Sequence, residues 1–536
     1  MTKDVFVLFP TDMYKDYSYL KGHKVVLVEH TKFFDRSASK YGKMRLNILK
    51  PVYHRLTMQE YHKYLKSKRI DVTYVNLKDD WVKEVKSLLS KSSMLRFFDP
   101  VDRDLENEIK KSFDQYEIIN SPRFILQYEE MEEYNSDKGS LRQTSFYNWM
   151  RKKTEILMNK SGNKLKPEGG KLTYDTENRK PPKKGIAKEM DSKTSVIGVK
   201  GEPDISNKKE VKDAVKYVVD NISESHLYIF DGSYSDLKSN TYDLNSVGIE
   251  LRFPFNFSES ESRLRDFISK KLDDFGEYQD SIVAPIVGGS DSEKSEDYDV
   301  SRLRSLIYHS GISVMMNVGL LTPSQVIDAV MASYKRRGPG SKKSVLNSVE
   351  GFIRQILGWR EFCRYTYEFE SDKYLNKNYF NARKKLSKSW YTGNVGVVPV
   401  DDVIEKAFRF GYLHHIERLM VIANYMTLNS IYPGDMFKWF TEFSLDSYDW
   451  VMEYNIYAMG SYADGGNFTT KPYVSSSNYI IKMSDYPGGK ESEDWRNEWD
   501  LKFWKFMKTH SKKMKKVNRL GMLVKHADKN IKKLSK

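Results

Sequence analysis

Two adjacent histidines, His414 and His415, are the residues of this sequence best suited to move a proton. They stand in the segment GYLHHIERLM (411–420), ahead of apolar residues that recur at helical spacing: Ile416, Leu419, Met420 and Ala423. Histidine has an unperturbed pKa near neutral pH, which suits it to donate or accept a proton. The alternative is a buried pair satisfied by backbone or carboxylate hydrogen bonds, and the residue pattern alone favours that alternative.

A second group of polar residues is suited to hold a phosphorylated ligand. Ser310 and Ser313 come just ahead of a helical run in YHSGISVMMNVGLLTPSQVIDAV (308–330). Hydroxyl and backbone N–H groups at a helix start can bind phosphate. A plain N-cap is the more frequent role of such a serine.

Two further stretches carry polar groups beside apolar helical sequence. NSVEGFIRQILGWREFCRYTY (347–367) is amphipathic, and its polar residues could face a cofactor or simply be solvated charges on a core helix. The stretch 445–486 is dense in Asp, Asn, Trp, Tyr and Gly. Carboxylates there could accept hydrogen bonds from hydroxyls, and an Asn could meet a ring nitrogen, which suits a large heteroaromatic cofactor.

Composition limits the classes of protein that this chain can belong to. At 536 residues it should form two or three domains, and its 13% aromatic content can fill a large core. No apolar run reaches about 18 residues, and the N-terminus lacks the apolar segment of a signal peptide. Cys363 is the only cysteine, which excludes an internal disulfide, a Cys₄ zinc site and a cysteine-ligated iron–sulfur cluster. We expect a soluble protein of the cytoplasm or nucleus, with no membrane contact.

Most of the net charge of +15 sits in one segment. Residues 502–536 contain 13 Lys and Arg against a single acid, Asp528. A basic segment of this kind is either a solvated helix or a surface that attracts nucleic acid phosphates. Charge alone does not decide between the two.

The elements that must position these residues change along the chain. Short β-rich runs, VFVLFP, KVVLVEH and IDVTYVNL, alternate with charged helical stretches, which predicts a parallel, Rossmann-like α/β domain over residues 1–135. A connector over 136–205 contains a Gly/Lys/Pro-rich stretch (158–185) that reads as a long loop. Helical patterns dominate afterwards, interrupted by a polar loop at 290–305. We therefore expect a large all-α domain at 206–500, suited to a buried cofactor, and a basic helical tail at 501–536.

Several long motifs in this sequence resemble those of the cryptochrome/photolyase superfamily. They are TYDTENRKP, NSVEGFIRQILGWREF, WYTGNVGVVPVDDVI, GYLHHIERLMV, SYDWVMEYNIYAMGSYADGG and TKPYVSSSNYIIKMSDY. The branch that the chain most resembles is that of the photolyase-related proteins, the iron–sulfur bacterial cryptochromes and (6-4) photolyases. The likeness runs from end to end, and is weakest before residue 140 and most specific from 300 to 486.

The resemblance implies an N-terminal antenna domain and a helical domain that holds a U-shaped FAD. By resemblance, Ser310 and Ser313 would hold the FAD pyrophosphate, and Asn455 would face flavin N5. The pocket would be lined by Arg354, Gln355, Trp359 and Arg360, while Asp446 and Asp449 would contact the ribityl and adenosine side. An antenna pigment, a lumazine in the relatives, is expected between the domains.

The sequence departs from the resemblance where the relatives bind an iron–sulfur cluster. After MSDY the chain reads PGGKESEDW, with Pro487 and Lys490 where two cysteine ligands would stand, and the upstream ligand is replaced near Pro399. Proline and lysine cannot replace soft thiolate donors for iron. We therefore expect a member of the branch without a cluster and without any other metal.

The same resemblance gives the histidine pair a role. Enzymes for cyclobutane dimers usually read His-Asn here, whereas (6-4) enzymes read His-His, and the second histidine donates a proton to the lesion. The sequence thus predicts a (6-4) photolyase with His415, His414 and Asn455 at its catalytic centre. Leu419 stands where eukaryotic (6-4) enzymes carry another histidine. A cyclobutane-dimer photolyase, a blue-light photoreceptor and a flavin-free DNA-binding relic are the alternatives.

The resemblance also names an electron relay and a partner. Trp390 and Trp439 would carry electrons to the flavin, with a third aromatic near Phe440, unless they are ordinary core residues. We expect a monomer that binds UV-damaged DNA through phosphate contacts, so that affinity falls with salt by a log–log slope of about −0.9 per contact. The candidate contacts lie in the connector and in SYKRRGPGSKK (333–343): Arg179, Lys180, Lys183, Lys184, Arg336, Arg337, Lys342 and Lys343.

Overall fold

The computed structural model describes residues 4–535 apart from 40, 137–140, 163, 183–202, 286–305, 307, 518 and 519. The polar segment predicted at 290–305 and the candidate DNA contacts Lys183 and Lys184 lie outside the described residues.

A five-stranded parallel sheet forms the N-terminal part of the chain, with strand order β4-β2-β1-β5-β6. Its central strand reads VFVL and is buried at every position, as expected for a parallel strand covered on both faces. Val7 pairs with Val26 on one side and with Phe97 on the other. The strands are β1 (Val5–Leu8), β2 (Lys24–Val28), β4 (Val72–Val75), β5 (Leu95–Phe98) and β6 (Tyr116–Ile119), and a short β3 (Leu46–Asn47) lies outside the sheet.

Helices pack against this sheet, and acidic side chains cap two of them. Asp102, for example, accepts hydrogen bonds from the backbone N–H groups of Asp104 and Leu105 at the start of α4. The helices are α1 (Thr31–Phe34), α2 (Leu49–Ser67), α3 (Trp81–Leu88), α4 (Arg103–Ser112), α5 (Tyr128–Ser136) and α6 (Gln143–Thr154). The predicted combination of a parallel α/β part and a helical part is confirmed.

The connector is more ordered than its composition indicates. Within the predicted loop of 158–185, β7 (Met158–Ser161) and β8 (Lys164–Pro167) form an antiparallel hairpin, and two short 3₁₀ turns follow it. The prediction of a loop was wrong for the hairpin, because strand pairing between short Lys-rich segments leaves little hydrophobic signal.

Residues 209–228 return to the N-terminal part of the molecule. The helix α7 (Lys209–Asn221) packs against α2, and β9 (Leu227–Tyr228) pairs in parallel with β3. A domain boundary at residue 206 therefore stays a prediction, since the first helix beyond it packs on the sheet region.

Helices make up most of the rest of the chain. Their order is α8 (Tyr234–Ser239), α9 (Phe257–Lys270), α10 (Leu272–Tyr278), α11 (Ser313–Val318), α12 (Pro323–Lys335), α13 (Pro339–Arg354), α14 (Glu361–Phe369), α15 (Ser389–Thr392), α16 (Val398–Phe410), α17 (Asn424–Leu428), α18 (Pro433–Phe443), α19 (Asp449–Glu453) and α20 (Ser477–Met483). No helix in the described part of the chain is both long enough and apolar enough to cross a bilayer.

The basic tail is partly built into the fold. The helix α21 (Glu493–Thr509) runs through the predicted boundary at residue 501 and buries Phe503, Phe506 and Met507. Three shorter helices follow: α22 (Ser511–Met514), α23 (Leu520–Val524) and α24 (Ala527–Leu534). Of these, α24 packs back against α21.

Three wide, π-helical turns interrupt the helical region. They span Gln355–Arg360, Glu417–Ala423 and Tyr454–Gly460, and each continues directly into or out of a regular helix. Such turns widen the helix and are frequent at functional sites. All three border the same cavity.

Candidate active site

The three wide turns enclose a cavity of about 540 Å³, within the range of small-molecule and cofactor sites. Of the described residues that line it, Arg179 comes from the connector and the others fall between 275 and 479. The predicted site residues that it brings together are Ser310, Ser313, Gln355, Trp359, Arg360, His414, His415, Asp446 and Asn455.

Asp446 anchors one wall of the cavity. Its carboxylate pairs with the Arg418 guanidinium at 2.7 Å and accepts a hydrogen bond of 2.7 Å from the Ser313 hydroxyl. Burial opposes ionisation of Asp446, but Arg418 and the hydroxyls of Ser444 and Ser313 outweigh it and hold its pKa below the usual value. The wall therefore carries a fixed ion pair beside the loop that begins α11.

Arg360 joins this wall to the N-terminal part of the chain. It donates to the Asn317 side-chain oxygen at 2.5 Å and to the backbone oxygen of Arg123 at 3.2 Å, and its guanidinium lies 4.9 Å from the Trp450 ring centre. Burial lowers the pKa of Arg360 to about 10, which leaves it charged at neutral pH. Asn317 in turn donates to the Asp446 backbone oxygen.

Two residues that the resemblance assigned to the cofactor do not line this cavity. Arg354 pairs instead with Asp175 of the connector at 2.8 Å and with Glu350 at 3.1 Å. Asp449 pairs with Arg36 at 2.9 Å and with Lys32 at 3.0 Å, both from the segment around α1. Arg354 therefore secures the connector, and Asp449 links the helical region to the sheet region.

The part of the wall formed by the turns Gln355–Arg360 and Tyr454–Gly460 contains both polar and apolar groups. Asn455 donates to the Val451 backbone oxygen at 2.7 Å and lies 3.7 Å from the Cys363 sulfur. Burial raises the pKa of the Cys363 thiol to about 12, so it stays protonated. Gln355 donates to the Gly351 backbone oxygen at 2.8 Å. Neither amide oxygen is engaged in these bonds.

His415 is exposed into the cavity, while protein surrounds the site itself. This enclosure, with the positive charges of Arg418 and Arg179, lowers the pKa of His415 to about 4. Its imidazole is therefore neutral at neutral pH in the ligand-free chain.

His414 points away from solvent and stacks on His309. The two rings are 4.0 Å apart and nearly parallel, and His309 donates through Nε2 to the Gln279 backbone oxygen at 2.9 Å. The His414 Nε2 atom lies 3.5 Å from a carboxylate oxygen of Glu417, which also pairs with Lys406 at 2.9 Å. Burial holds the pKa of both histidines well below the usual value.

Positive charge and aromatic rings gather around another part of the cavity wall. Arg179 and Lys471 line it together with Tyr473, Tyr479 and Asp280. Burial raises the pKa of Asp280 to about 6, against the attraction of Arg179. Arg179 itself pairs with Asp175 at 2.5 Å. It was predicted as a DNA contact, and the structure places it at the cavity.

The other candidate DNA contacts do not line the cavity. Arg337 is held by Asp273 through two hydrogen bonds of 2.6 and 2.8 Å, whereas Arg336 and Lys343 are exposed. Lys342 lies over the Tyr334 ring. Lys180 is exposed beside Glu277, with 3.5 Å between their charged groups. Their role in DNA binding stays a prediction.

The predicted relay residues lie behind the cavity. Phe440 lines it, and the Trp439 ring is 5.1 Å from Phe440. The Trp439 indole N–H donates to the Trp390 backbone oxygen at 2.8 Å. Both tryptophans are buried, Trp390 with 4% exposure.

At the positions where the resemblance would put cluster ligands, the chain forms a helix start and a side-chain hydrogen bond. Pro399 lies in the first turn of α16, and Tyr486, just before Pro487, donates to Asp402 at 2.7 Å. Among the residues that the structure describes, no three His, Cys, Asp or Glu side chains are grouped to hold a metal. The absence of a cluster stays a prediction from the missing cysteines.

Comparison with known proteins identifies relatives of this chain. The model of the family described as deoxyribodipyrimidine photo-lyase-related protein matches residues 8–224. A (6-4) photolyase of Agrobacterium fabrum is 29% identical over 76% of this chain and 70% of its own length. An uncharacterized protein, R855, of Acanthamoeba polyphaga mimivirus is 52% identical over 16% of this chain and 69% of its own length. A bacterial class III photolyase structure from Agrobacterium tumefaciens aligns over 100% of this chain and 98% of its own, with 13% identity and a TM-score of 0.48.

These findings show that the chain is similar to proteins of the cryptochrome/photolyase superfamily. The similarity to the photolyase-related family model covers residues 8–224, and the similarity to the relative from Agrobacterium fabrum covers 76% of the chain. The relatives support a photolyase-type lyase activity.

Proteins of this superfamily generally bind FAD, and the residues present fit that cofactor. Apolar rings and chains share the cavity with the Asp446–Arg418 pair and with Arg360. Four buried polar atoms of its lining residues have no hydrogen-bond partner within the described chain: Gln279 Oε1, His309 Nδ1, His414 Nδ1 and Trp450 Nε1. Such groups are costly to leave unpaired, so they point to a polar ligand or bound water. The antenna pigment stays a prediction.

Three residues of the cavity wall were not predicted from the sequence. Asn317 connects Arg360 to Asp446, and Arg418 neutralises Asp446. Both lie inside the quoted segments, but a helical pattern gives only their face and not their partners. His309 was also missed, since a lone histidine carries no spacing signal.

Proposed function

We propose that this protein is a light-driven photolyase that repairs UV-damaged DNA, with the (6-4) photoproduct as its lesion. The observation that carries the proposal is the position of His415, whose imidazole is exposed into the cavity that Arg179 and Lys471 also line. The relative from Agrobacterium fabrum, described as a (6-4) photolyase, supports it.

The cationic part of the cavity wall suits a damaged nucleotide. Lys471 and Arg179 can meet backbone phosphates, while Tyr473 and Tyr479 offer rings on which a base can stack. A damaged base flips out at a lower free-energy cost than an intact one, because it stacks and pairs poorly. The wall then selects for the lesion and excludes water from it.

Other residues of the cavity wall would hold the cofactor. Ser310 and Ser313 would bind its phosphates, and Gln355, Trp359 and Asn455 would line its ring system. When bound in reduced form, FAD supplies one electron to the lesion after absorbing light. Asp446 stays ionised under Arg418 and accepts the proton of the Ser313 hydroxyl, so Ser313 would meet a phosphate through its backbone N–H at the start of α11.

His415 supplies the proton. A (6-4) lesion must return a hydroxyl from one pyrimidine to the other, and protonation by His415 makes that transfer possible. In the ligand-free chain the pKa of His415 is low because protein encloses its site and because Arg418 and Arg179 are positively charged. Phosphates brought to Arg179 by DNA would offset that positive charge and raise the pKa of His415 toward neutral.

A cyclobutane-dimer photolyase is the second candidate, and one observation favours it. Splitting a cyclobutane ring needs an electron and no acid, and the His415 imidazole is neutral at neutral pH without DNA. The site would then use the histidine for binding only.

The deciding experiment is a light-dependent repair assay on the purified, photoreduced protein. Oligonucleotides carry either a (6-4) photoproduct or a cyclobutane thymine dimer, each with a dark control. We expect repair of the (6-4) substrate alone, with kcat/KM rising as the pH falls from 8 to 6, because more His415 is then protonated. Repair of the dimer alone would show that the protein is a cyclobutane-dimer photolyase. Repair of neither, with FAD bound, would indicate a photoreceptor.

Single substitutions test the role of His415. We expect His415→Ala to abolish (6-4) repair and to leave the bound-flavin absorbance unchanged. His226→Ala is the matched control, because His226 pairs with Asp35 away from the cavity. Retained (6-4) turnover in His415→Ala would remove the proton-donor role.

A further inference from the structure

Arg179 brings a positive charge from the connector to the cavity wall, and its backbone is fixed there. Its N–H donates to the Gly276 backbone oxygen at 3.1 Å, and Lys180 donates to the Glu277 backbone oxygen at 2.9 Å. The φ angle of Arg179 is 66°, in the left-handed region that a residue other than glycine adopts at a cost in free energy. The fold thus holds Arg179 beside the end of α10, where Asp280 follows two residues later.

Two carboxylates share the Arg179 guanidinium, and they hold it unequally. The Nη2 atom donates to Asp175 at 2.5 Å, and Asp175 also pairs with Arg354 at 2.8 Å. The Nε atom lies 3.7 Å from an oxygen of Asp280, which is too long for a hydrogen bond. Asp175 therefore fixes Arg179 by a hydrogen bond, whereas Asp280 attracts it by charge alone.

The ionised form of Asp280 depends on this attraction. The Asp280 side chain lines the cavity and is 16% exposed, whereas that of Arg179 is 43% exposed. Burial raises the pKa of Asp280 to about 6, and Arg179 is the charge that opposes this most strongly. Without Arg179, the carboxyl group would therefore be protonated at neutral pH.

No other group around Asp280 replaces Arg179 as its counter-charge. The charged and titratable side chains that act on Asp280 in the described chain are Arg179, Asp175, Arg354, Tyr473 and Tyr479. Burial raises the pKa of both tyrosines, so they carry no charge at neutral pH. Arg354 is already paired with two carboxylates, those of Asp175 and Glu350.

A phosphate at Arg179 would end the attraction between Arg179 and Asp280. A guanidinium can give a phosphate two parallel hydrogen bonds, which is a stronger interaction than the contact of 3.7 Å. The phosphate would also place a second negative charge beside a carboxylate that burial already disfavours. Both effects favour the protonated form of Asp280.

We propose that Asp280 couples DNA binding to proton uptake: it attracts Arg179 in the DNA-free chain and takes one proton from solvent when a phosphate of the damaged strand replaces it there. The inference rests on the damaged nucleotide of the proposed function and not on the lesion type. The carboxylate becomes a carboxylic acid, and Arg179 keeps its charge. Asp280 is then a positioning residue, because it acts on DNA through Arg179.

The test is isothermal titration calorimetry of the flavin-loaded protein in the dark, in two buffers of different ionisation enthalpy that contain EDTA. A duplex that carries a (6-4) photoproduct is compared with the undamaged duplex. We expect Asp280→Asn to lower the proton uptake at pH 7 by close to one proton per bound lesion. The wild-type affinity should rise by up to roughly tenfold per pH unit as the pH falls from 8 to 6, and Asp280→Asn should flatten this rise.

Two further variants exclude other sources of the proton. Asp266→Asn is the matched control, because Asp266 pairs with Lys270 at 3.1 Å on α9 and does not line the cavity. It should leave the proton uptake unchanged. His415 could itself take up a proton with DNA, so Asp280→Asn is also measured in a His415→Gln background, where we expect the same decrease. Thermal melting of each variant checks its fold. An unchanged uptake in Asp280→Asn, or an equal decrease in Asp266→Asn, would overturn the proposal.

Arg179→Gln tests the same coupling without DNA. Loss of the guanidinium should protonate Asp280 at pH 7 and give a carboxylic acid band in the infrared difference spectrum against the wild type. Asp280→Asn in the Arg179→Gln background should remove this band. Its absence from Arg179→Gln would overturn the proposal whether or not the protein binds damaged DNA. The band in a protein that binds damaged and undamaged duplexes equally would support the coupling and contradict only the proposed repair.

Discussion

Burial decides the charge of two histidines beside the cavity. His309 and His414 each have a pKa well below the usual value, in both cases first because of burial. A histidine whose folded-state pKa lies below its unfolded pKa of about 6.5 is neutral in both states above that pH and does not affect the balance between them. As the pH falls below about 6.5, the unfolded state binds a proton that the folded state does not bind, so the free energy of unfolding decreases.

We therefore expect the free energy of unfolding to fall steeply between pH 7 and pH 5. Each such histidine contributes a slope of about 1.4 kcal/mol per pH unit below its unfolded pKa. His414→Gln should flatten the dependence by about one such slope, measured by urea unfolding at several pH values. His226→Gln, at a partly exposed pair with Asp35, is the control. An unchanged slope in His414→Gln would contradict this account.

The Asp446–Arg418 pair gives a second prediction at this scale. Asp446→Asn leaves the Arg418 charge without its partner in a buried wall, so we expect a loss of roughly 3–5 kcal/mol in unfolding free energy. Ser444→Ala removes only a hydrogen bond to the same carboxylate and should cost about 1 kcal/mol. Urea unfolding of both variants checks this, and equal losses would contradict it.

Single residues also show what sequence can predict. The resemblance assigned His415, Ser313 and Asp446 to one site, and all three line the cavity although they come from three separate segments of the chain. Asp449, which the resemblance assigned to the same site, does not line the cavity, and its partners Lys32 and Arg36 come more than 400 positions earlier. Spacing along a helix says which side a carboxylate faces, but not which distant segment supplies its counter-charge.

Among the elements, the three wide turns shape the site. A π-helical turn holds more residues than an α-helical one, so the side chains after it shift around the helix axis. A regular helical pattern cannot predict that shift, which is why the lining role of Arg418, inside the turn Glu417–Ala423, was not predicted. The turns at Glu417–Ala423 and Tyr454–Gly460 also contact each other at Gly460.

Gly460 tests this contact. A Cβ atom there would lie 3.1 Å from the Asn455 backbone oxygen and 3.2 Å from the Ala423 Cβ. We expect Gly460→Val to force the two turns apart, with a loss of roughly 1–3 kcal/mol and weaker flavin retention. Gly488→Val is the control, because its nearest neighbour is at 3.7 Å on the surface. Thermal melting and flavin absorbance measure both effects, and equal behaviour of the two variants would contradict the prediction.

At the scale of the whole molecule, ion pairs join the sheet region to the helical region. Arg36 and Lys32 hold Asp449, and Arg103 holds Glu453 at 2.6 Å, with both carboxylates almost fully buried. Removing one partner of such a pair costs more than removing both. The interface between the two regions therefore depends on complete pairs.

Arg36→Met should lower the free energy of unfolding by roughly 3–5 kcal/mol, because Asp449 loses the guanidinium that meets it through two hydrogen bonds. The double variant Arg36→Met/Asp449→Leu should recover part of that loss. Urea unfolding of the single and double variants measures the difference, and a double variant that is less stable than the single one would contradict it.

The tail gives a further prediction for the whole chain. A stop after Leu501 cuts α21 and removes the buried Phe503, Phe506 and Met507, so we expect it to unfold the protein or to cost well over about 5 kcal/mol. A stop after Val517 keeps that packing and should weaken DNA binding more than stability. Thermal melting and salt-dependent DNA titration separate the two, and a stable chain ending at Leu501 would contradict this.

The unpartnered polar atoms around the cavity have a consequence for the living cell. A ligand that binds only the folded chain stabilises it by about 4 kcal/mol at a thousandfold excess over its Kd. The amount of this protein that survives proteolysis should then follow the riboflavin supply of the cell that makes it. Under riboflavin starvation, we expect the ligand-free protein to be degraded before it binds FAD.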